Sequence, residues 1–223
     1  MMDFLARTQK SLSFELEWVQ IDENEEIMLE DQRSKVFVRT FRTEHSQRQL
    51  SLGYNIIEKR RKLKPEYEGV SQRELNQIVW TRGKDEIASE FEKIIFSYGG
   101  DSRPINPDYV RESLFLCHEC TYLSSDDDER NFQQHSFLDE VLENAREARV
   151  ETLLLFHTSL RYNLDELREK INAARDRINP GCKVLVLCGD TILDTDNEGS
   201  WRRKKRREKP KDKSLEENSL SRS

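Results

Sequence analysis

The second half of this chain alternates apolar runs with amphipathic helical periods, and that order leaves few folds open to it. Residues 114–120 contain the unbroken apolar stretch LFLC, which suits a strand covered on both faces. Residues 135–148 repeat apolar side chains at three-and-four spacing, so Phe137, Leu138, Val141, Leu142 and Ala145 share one face of a helix. A β-rich run follows at 152–156, a second amphipathic helix at 165–178 and a last strand at 183–188. Asn179, Pro180 and Gly181 punctuate the passage from that helix to that strand. Strand, helix, strand, helix implies a layered α/β domain.

The first half reads as strands that pair as antiparallel neighbours. Residues 14–20 (FELEWVQ) and 35–42 (KVFVRTFR) are strand candidates. In the second of these Val36, Val38 and Thr40 share one face and Phe37, Arg39 and Phe41 the other. Alternation returns at 52–58, around Gly53 and Tyr54, and the second half opens with a strand candidate at 91–98. Between them, residues 59–74 (KRRKLKPEYEGVSQRE) turn basic and polar, and 72–79 can form a short helix. This stretch, extending to about residue 84, reads as an arm or insertion rather than core. There is no internal repeat.

Composition bounds the rest. The 223 residues allow one α/β domain or two small ones. A charged fraction of 36% and a mean hydropathy of −0.87 pull towards disorder, but the apolar residues are gathered in strand-length runs. An ordered middle with solvated ends is expected. The net charge of −6 disfavours nucleic-acid binding over the whole surface and confines any such contact to local basic stretches. No apolar run has membrane-spanning length, and MMDFLARTQK lacks the apolar stretch of a secretory signal, so a cytoplasmic protein without a membrane partner is expected. Residues 199–223 form a basic tail expected to be disordered, whose run 202–207 suits phosphate contacts or a nuclear address in a eukaryotic cell. The cysteines at 117, 120, 182 and 188 fit reduced thiols better than a disulfide framework. Cys117 and Cys120 make a CxxC, but Cys182 and Cys188 have the wrong spacing for a zinc knuckle, and all four read as small buried strand residues.

The chemistry lies where the strands end. Asp101 follows Gly99 and Gly100, which let the backbone turn sharply and present the carboxylate away from the strand. His157 directly follows LLLF, and His45 follows the strand that ends near Arg42. Three oxygen or imidazole donors arriving from three strand ends suit zinc or manganese.

Taken in order, TEHSQRQLSLGY, SYGGDSRP, LCHECTY, QQHS and LLLFHTSLRY resemble the carboxy-terminal half of the metallo-β-lactamase superfamily, specifically its ribonuclease Z group of tRNA 3′-processing endonucleases. The resemblance runs from about Phe14 to Asp190, and all four histidines fall on motif positions. It implies an α/β, partial metallo-β-lactamase fold over residues 1–198: one β-sheet with flanking helices, part of an αββα sandwich.

By the same resemblance His45 and His157 are ligands of one zinc each and Asp101 bridges the two. Ser159, Arg161 and Tyr162 complete the HxSxRY motif, with Ser159 and Arg161 on the substrate side. Glu119 of a HEAT-like HECT motif would hold His135, which opens a helix and protonates the leaving 3′ oxygen. Two zincs, with manganese as a substitute, would lower the pKa of a bound water and stabilise charge on a phosphodiester. Lys59, Arg60, Arg61 and Lys62 lie where the family carries its substrate-gripping arm, although the glycine-proline-rich tip is missing, and precursor tRNA is the implied partner. The HxHxDH cluster that supplies most ligands of both zincs in the family is absent. So are its glycine-rich amino-terminal strands, which leaves a sheet face to be covered. The chain thus reads as a truncated enzyme, inactive alone. The alternatives are one part of a split metallohydrolase, completed by a homodimer or by a chain that supplies the amino-terminal half, and a non-catalytic module that binds RNA or protein.

Overall fold

The computed structural model describes residues 18–29, 35–45, 49–124, 134–159 and 161–197. They form one eight-stranded sheet with helices, in which every strand lies beside its neighbour in sequence. The strands are β1 (Glu26–Leu29), β2 (Val36–Thr43), β3 (Ser51–Leu63), β4 (Ala88–Tyr98), β5 (Phe115–Glu119), β6 (Thr152–Phe156), β7 (Lys183–Cys188) and β8 (Thr191–Asp194). The pairs from β1 to β4 are antiparallel, those from β4 to β7 are parallel, and β8 returns antiparallel beside β7.

The change from antiparallel to parallel follows from what connects the strands. The early segments are joined by links of a few residues, or, between β3 and β4, by a short helical tip. Between β5 and β7 each connection contains a helix, α3 (Leu138–Ala148) between β5 and β6 and α4 (Leu164–Ile178) between β6 and β7, whereas two residues join β7 to β8. A helical crossover carries the chain back to the edge where the last strand began, so the next strand runs parallel to it. Asn163 starts α4 by accepting from the Asp165 and Glu166 amides, both at 3.0 Å, while Glu166 reaches back to the Asn163 amide. Asn179 ends the helix in the left-handed conformation.

Both crossover helices bury one face. Leu138, Val141, Leu142, Ala145 and Ala148 of α3 meet Leu167, Ile171, Ala174 and Ile178 of α4 over Leu116, Leu153, Leu155, Val184 and Val186 of the sheet. This is the core, and it lies on one side of the sheet. The opposite face carries Tyr98, Phe115, Phe156, Leu185, Leu187 and Ile192, which are half-buried or exposed. Tyr98 stacks on Phe156 at 5.4 Å and Phe96 on Phe115 at 6.0 Å, so this face is a continuous apolar surface and not a scatter of single side chains.

Several expectations change at the boundaries. Of the strand expected at 14–20, residues 18–20 have no regular structure and the others lie outside the described residues. The first strand is β1, whose short, largely exposed EIML carries almost no alternation to read. β8 was likewise not expected. The strand expected at 52–58 continues to Leu63, because the supposed arm from Lys59 is a two-stranded stalk in register with β4 from Ala88. Helices α1 (Gln72–Arg82) and α2 (Lys84–Ile87) cap that stalk. The helix expected from His135 begins at Leu138, which leaves His135 in the preceding loop. The basic tail lies outside the described residues. No helix among them is long and apolar enough to cross a membrane.

Leu142 is fully buried between helix and sheet. Leu142→Ala is expected to lower stability by about 2–5 kcal/mol. Trp80→Ala, on a side chain 89% exposed at the tip of the stalk, is expected to stay within about 0.5 kcal/mol. Urea unfolding midpoints of the two variants check the difference.

Candidate functional site

Strand direction decides which side chains meet. β2, β4, β5 and β6 all point the same way, since β2 and β4 each oppose β3 while β4, β5 and β6 are parallel. Their carboxy-terminal ends therefore share one edge of the sheet. His45 lies two residues past β2, Asp101 three past β4, Glu119 at the end of β5 and His157 immediately after β6. In sheets of this kind the carboxyl ends of the strands are where ligands bind.

Glu119 is fully buried, and among the described residues no arginine or lysine pairs with it, so its carboxylate is satisfied by hydrogen-bond donors. One oxygen accepts from the Thr121 amide at 2.9 Å and the Thr121 hydroxyl at 2.8 Å. The other accepts from the Ser136 amide at 2.8 Å and His135 Nδ1 at 3.1 Å. Four donors use up the lone pairs of both oxygens. Glu119, His135 and His157 place one possible ligand atom each within 4.8 Å of one another, yet this saturation makes Glu119 a holder of histidines rather than a metal ligand. His135 gains its position from that carboxylate.

The three rim imidazoles then pack together. The His135 ring centroid lies 5.3 Å from that of His45 and 5.3 Å from that of His157. His45 donates from Nδ1 to the Gln134 carbonyl at 3.0 Å. His157 Nδ1 lies 3.1 Å from the Thr121 hydroxyl and 3.5 Å from an Asp101 oxygen. The backbone of His157 is left-handed, with φ 58°, a conformation that costs an L residue energy.

The loop that carries Asp101 is pinned by groups from across the sheet edge. The Ile105 amide donates to His118 Nε2 at 3.2 Å, and Asn144 Nδ2 donates to the Ile105 carbonyl. The Ser136 hydroxyl donates to the Ser102 carbonyl at 2.7 Å, and the Arg103 amide to the Glu44 carbonyl at 2.7 Å. That last bond ties the Asp101 loop to the residue beside His45. Gly100 makes the turn with φ 66°.

His118 is thus a structural member of its motif. It is fully buried, accepts at Nε2 and donates from Nδ1 to the Glu119 carbonyl at 2.8 Å, and burial pushes its pKa down to about 4. Cys117 and Cys182 pack as small apolar groups, and burial pushes both thiols up to about 11, which keeps them protonated. Cys120 is raised further in the same direction by burial, then by the nearby Glu119 and Asp139 charges.

The other expected contact residues are not brought into this cluster. Lys59, Arg60, Arg61 and Lys62 lie in the far part of β3, about 26–36 Å along the strand from Ser51 at the site edge. Arg60 pairs with Glu58 at 2.7 Å, Arg61 with Asp85 at 2.8 Å and Glu90 at 3.0 Å, and Lys59 lies over the Phe37 ring at 4.8 Å. Arg60 and Arg61 therefore carry compensated charge. Ser159 and Arg161 follow His157 on the exposed loop, where Arg161 Nε donates to the Ser159 hydroxyl at 3.0 Å. Thr121, Asn144 and Ile105 were not singled out by sequence. Thr121 alone had a signal, as the last residue of HECT.

The donor set fits a divalent metal of zinc type: imidazoles held at Nδ1 by other groups, with a carboxylate half-exposed beside them.

No protein-family profile matches the chain. In sequence it is 28% identical over 163 residues to the chloroplastic tRNase Z of Arabidopsis thaliana, a match covering 70% of this chain and 44% of that protein. It is 32% identical over 108 residues to the ribonuclease Z of Thermococcus gammatolerans, covering 48% of this chain and 33% of the other. The chain spans less than half the length of these relatives. Among solved structures, a metallo hydrolase of Ignicoccus hospitalis aligns over 86% of this chain and 64% of its own, at 12% identity and a TM-score of 0.47.

Stability should depend on pH through His118. Below its ordinary value of 6.5 the unfolded chain takes up a proton there, whereas the folded chain does not until about 4. Stability present above pH 6.5 is therefore lost as pH falls towards 4, by on the order of 3 kcal/mol. His118→Leu should flatten this dependence while lowering stability at pH 7, because the Ile105 amide and the Glu119 carbonyl lose their partner. Urea unfolding of both proteins at several pH values between 4 and 7 measures it.

Proposed function

We propose that this chain, similar in sequence to ribonuclease Z over less than half the length of those enzymes, carries the carboxy-terminal share of a zinc-dependent endoribonuclease site that cleaves precursor tRNA at its 3′ end. The supporting observation is the convergence of His45, Asp101, His135 and His157 from four separate segments onto one sheet edge, with His135 held by a buried carboxylate. In this reading His45, Asp101 and His157 are the ligands. Zinc bound there supplies a water acidified towards neutrality and a positive charge beside the phosphoryl oxygens.

The chain's own residues do the remaining work. Glu119 holds His135 at Nδ1, so Nε2 is the atom that takes up a proton and, from the imidazolium, passes it to the leaving 3′ oxygen. Arg161, on the exposed loop that follows His157, is the residue that would pair with a substrate phosphate once the loop meets it. Three ligands shared between two metals do not complete a dinuclear site, so cleavage requires donors from outside these residues.

A second reading concerns how that completion is achieved, and the open apolar sheet face favours it. Tyr98, Phe115 and Phe156 lie on the face whose strands lead straight into Asp101, Glu119 and His157. Whatever covers this face also lies over the mouth of the cluster. A segment that supplies the amino-terminal share of such a site, or a second copy of this chain, would bury the face and bring further ligands together. A non-catalytic RNA-binding role is the competing outcome.

Two experiments follow. With zinc and a ribonuclease Z amino-terminal half added in trans, the chain should cleave precursor tRNA, and His135→Ala should slow cleavage by about 10²–10⁴-fold. Failure to bind zinc or to cleave after complementation, with RNA affinity that survives His157→Ala, would indicate a binding module. The chain by itself should bind an apolar fluorescent dye and self-associate in sedimentation. Tyr98→Lys with Leu187→Lys should reduce both, leaving the urea midpoint within about 1 kcal/mol of equivalent stability.

A further inference from the structure

We infer that Thr121 is a positioning residue that sets the tautomer of His157, so that one buried carboxylate, Glu119, orients two imidazoles at once. Its meaning for catalysis rests on the function proposed above, but the tautomer itself is a property of the metal-free chain.

The inference starts from proton counting. The Thr121 hydroxyl has one proton and two lone pairs. Two acceptors compete for the proton, an oxygen of Glu119 at 2.8 Å and the His157 carbonyl at 3.4 Å. The ionised carboxylate is nearer and the stronger acceptor, and its burial removes water as a rival donor. The proton therefore goes to Glu119. What remains on Thr121 towards His157 Nδ1, at 3.1 Å, is a lone pair, which accepts only if Nδ1 carries the hydrogen. His157 is then the Nδ1–H tautomer, with its free lone pair on Nε2.

The other two rim histidines are set to the same polarity by different means. A carbonyl oxygen at Gln134 requires an N–H at His45 Nδ1, and a carboxylate oxygen of Glu119 accepts one from His135 Nδ1. Three imidazoles from three segments thus all donate from Nδ1 and keep Nε2 for another partner. In His45 the acceptor is backbone and in His135 it is Glu119 directly. Only His157 depends on a side-chain hydroxyl as intermediary. Asp101 offers an alternative acceptor, but its oxygen lies 3.5 Å from Nδ1, too long for a good hydrogen bond, and the side chain is half-exposed. An imidazole free in water favours the opposite tautomer, so the Thr121 contact is what selects this one.

Nitrogen-15 NMR of the metal-free chain, above the imidazole titration range, reads the tautomer of each histidine directly. His157→Gln identifies the His157 signals by their loss. The expected result is an N–H signal at Nδ1 and a lone-pair signal at Nε2 for His157 in the wild type and in Thr121→Ser. Thr121→Val should move His157 towards the Nε2–H form, and Asp101→Ala should leave it unchanged. His118 and His45, whose tautomers are set by backbone carbonyls, report whether each variant is folded. A wild-type His157 protonated at Nε2 overturns the inference without any variant, and so does a shift in Asp101→Ala that Thr121→Val fails to produce. If Thr121→Val loses the His118 signature, the wild type, Thr121→Ser and Asp101→Ala decide the matter by the same criteria. Zinc titration by calorimetry, with the ribonuclease Z amino-terminal half added as above, separates this from the proposed function. Thr121→Val should weaken binding about 10–100-fold and Thr121→Ser should restore it. A wild type that binds no zinc but shows the expected tautomer refutes the metal site and keeps the role of Thr121.

Discussion

A carboxylate with no access to water and no cationic partner is costly to bury unless every lone pair is used, and Glu119 meets that condition with four donors. Each donor fixes a piece of the site. The Thr121 amide and hydroxyl bend the chain directly after β5, the Ser136 amide anchors the loop before α3, and His135 Nδ1 orients the central imidazole. Satisfying one buried charge therefore shapes two loops. Loss of any donor would leave the carboxylate short of a partner in a low-dielectric environment, where an unmade bond is most expensive.

Around that centre, strand direction does the gathering. Because β2, β4, β5 and β6 run the same way, the residues that leave their ends arrive at one edge. The core formed by α3 and α4 on one face of the sheet supports that edge from beneath. His118 and Asn144 reach out of this core to hold both backbone groups of Ile105, and with them the Asp101 loop. Core packing and site geometry are thus joined through buried polar side chains. The other face of the sheet receives no comparable cover from the described residues, and its aromatic pairs stand half-exposed beside the histidines.

The pattern read from the sequence located most elements and missed those whose residues carry little pattern. β6 coincides with its expected bounds at Thr152–Phe156, since TLLLF is dense in strand-forming residues and bounded by helices. β1 and β8, of four residues each, lie at the sheet margins, where one exposed side leaves little periodicity to read. The stalk of β3 and β4 looked like an irregular basic arm, because KRRK has no apolar alternation. Its order comes from pairing across the strands, with Lys59 opposite Glu92 and Arg61 opposite Glu90. His135 looked helical because the apolar period extends back to Phe137. Its bond to Glu119 holds it in the loop instead.

The sequence by itself determined the layered α/β order, the two amphipathic crossovers and the placing of Asp101, His45 and His157 just after apolar runs, because periodicity and strand ends are local properties of the chain. Only the tertiary structure decided that those residues meet, that Glu119 is spent on hydrogen bonds rather than offered to a metal, and that His118 is sealed in the core. The reason is separation along the chain: His135 and Glu119 are 16 residues apart, Thr121 and His157 36, and His45 and Gln134 89. Which lone pair a histidine presents depends on an acceptor that no local spacing reveals.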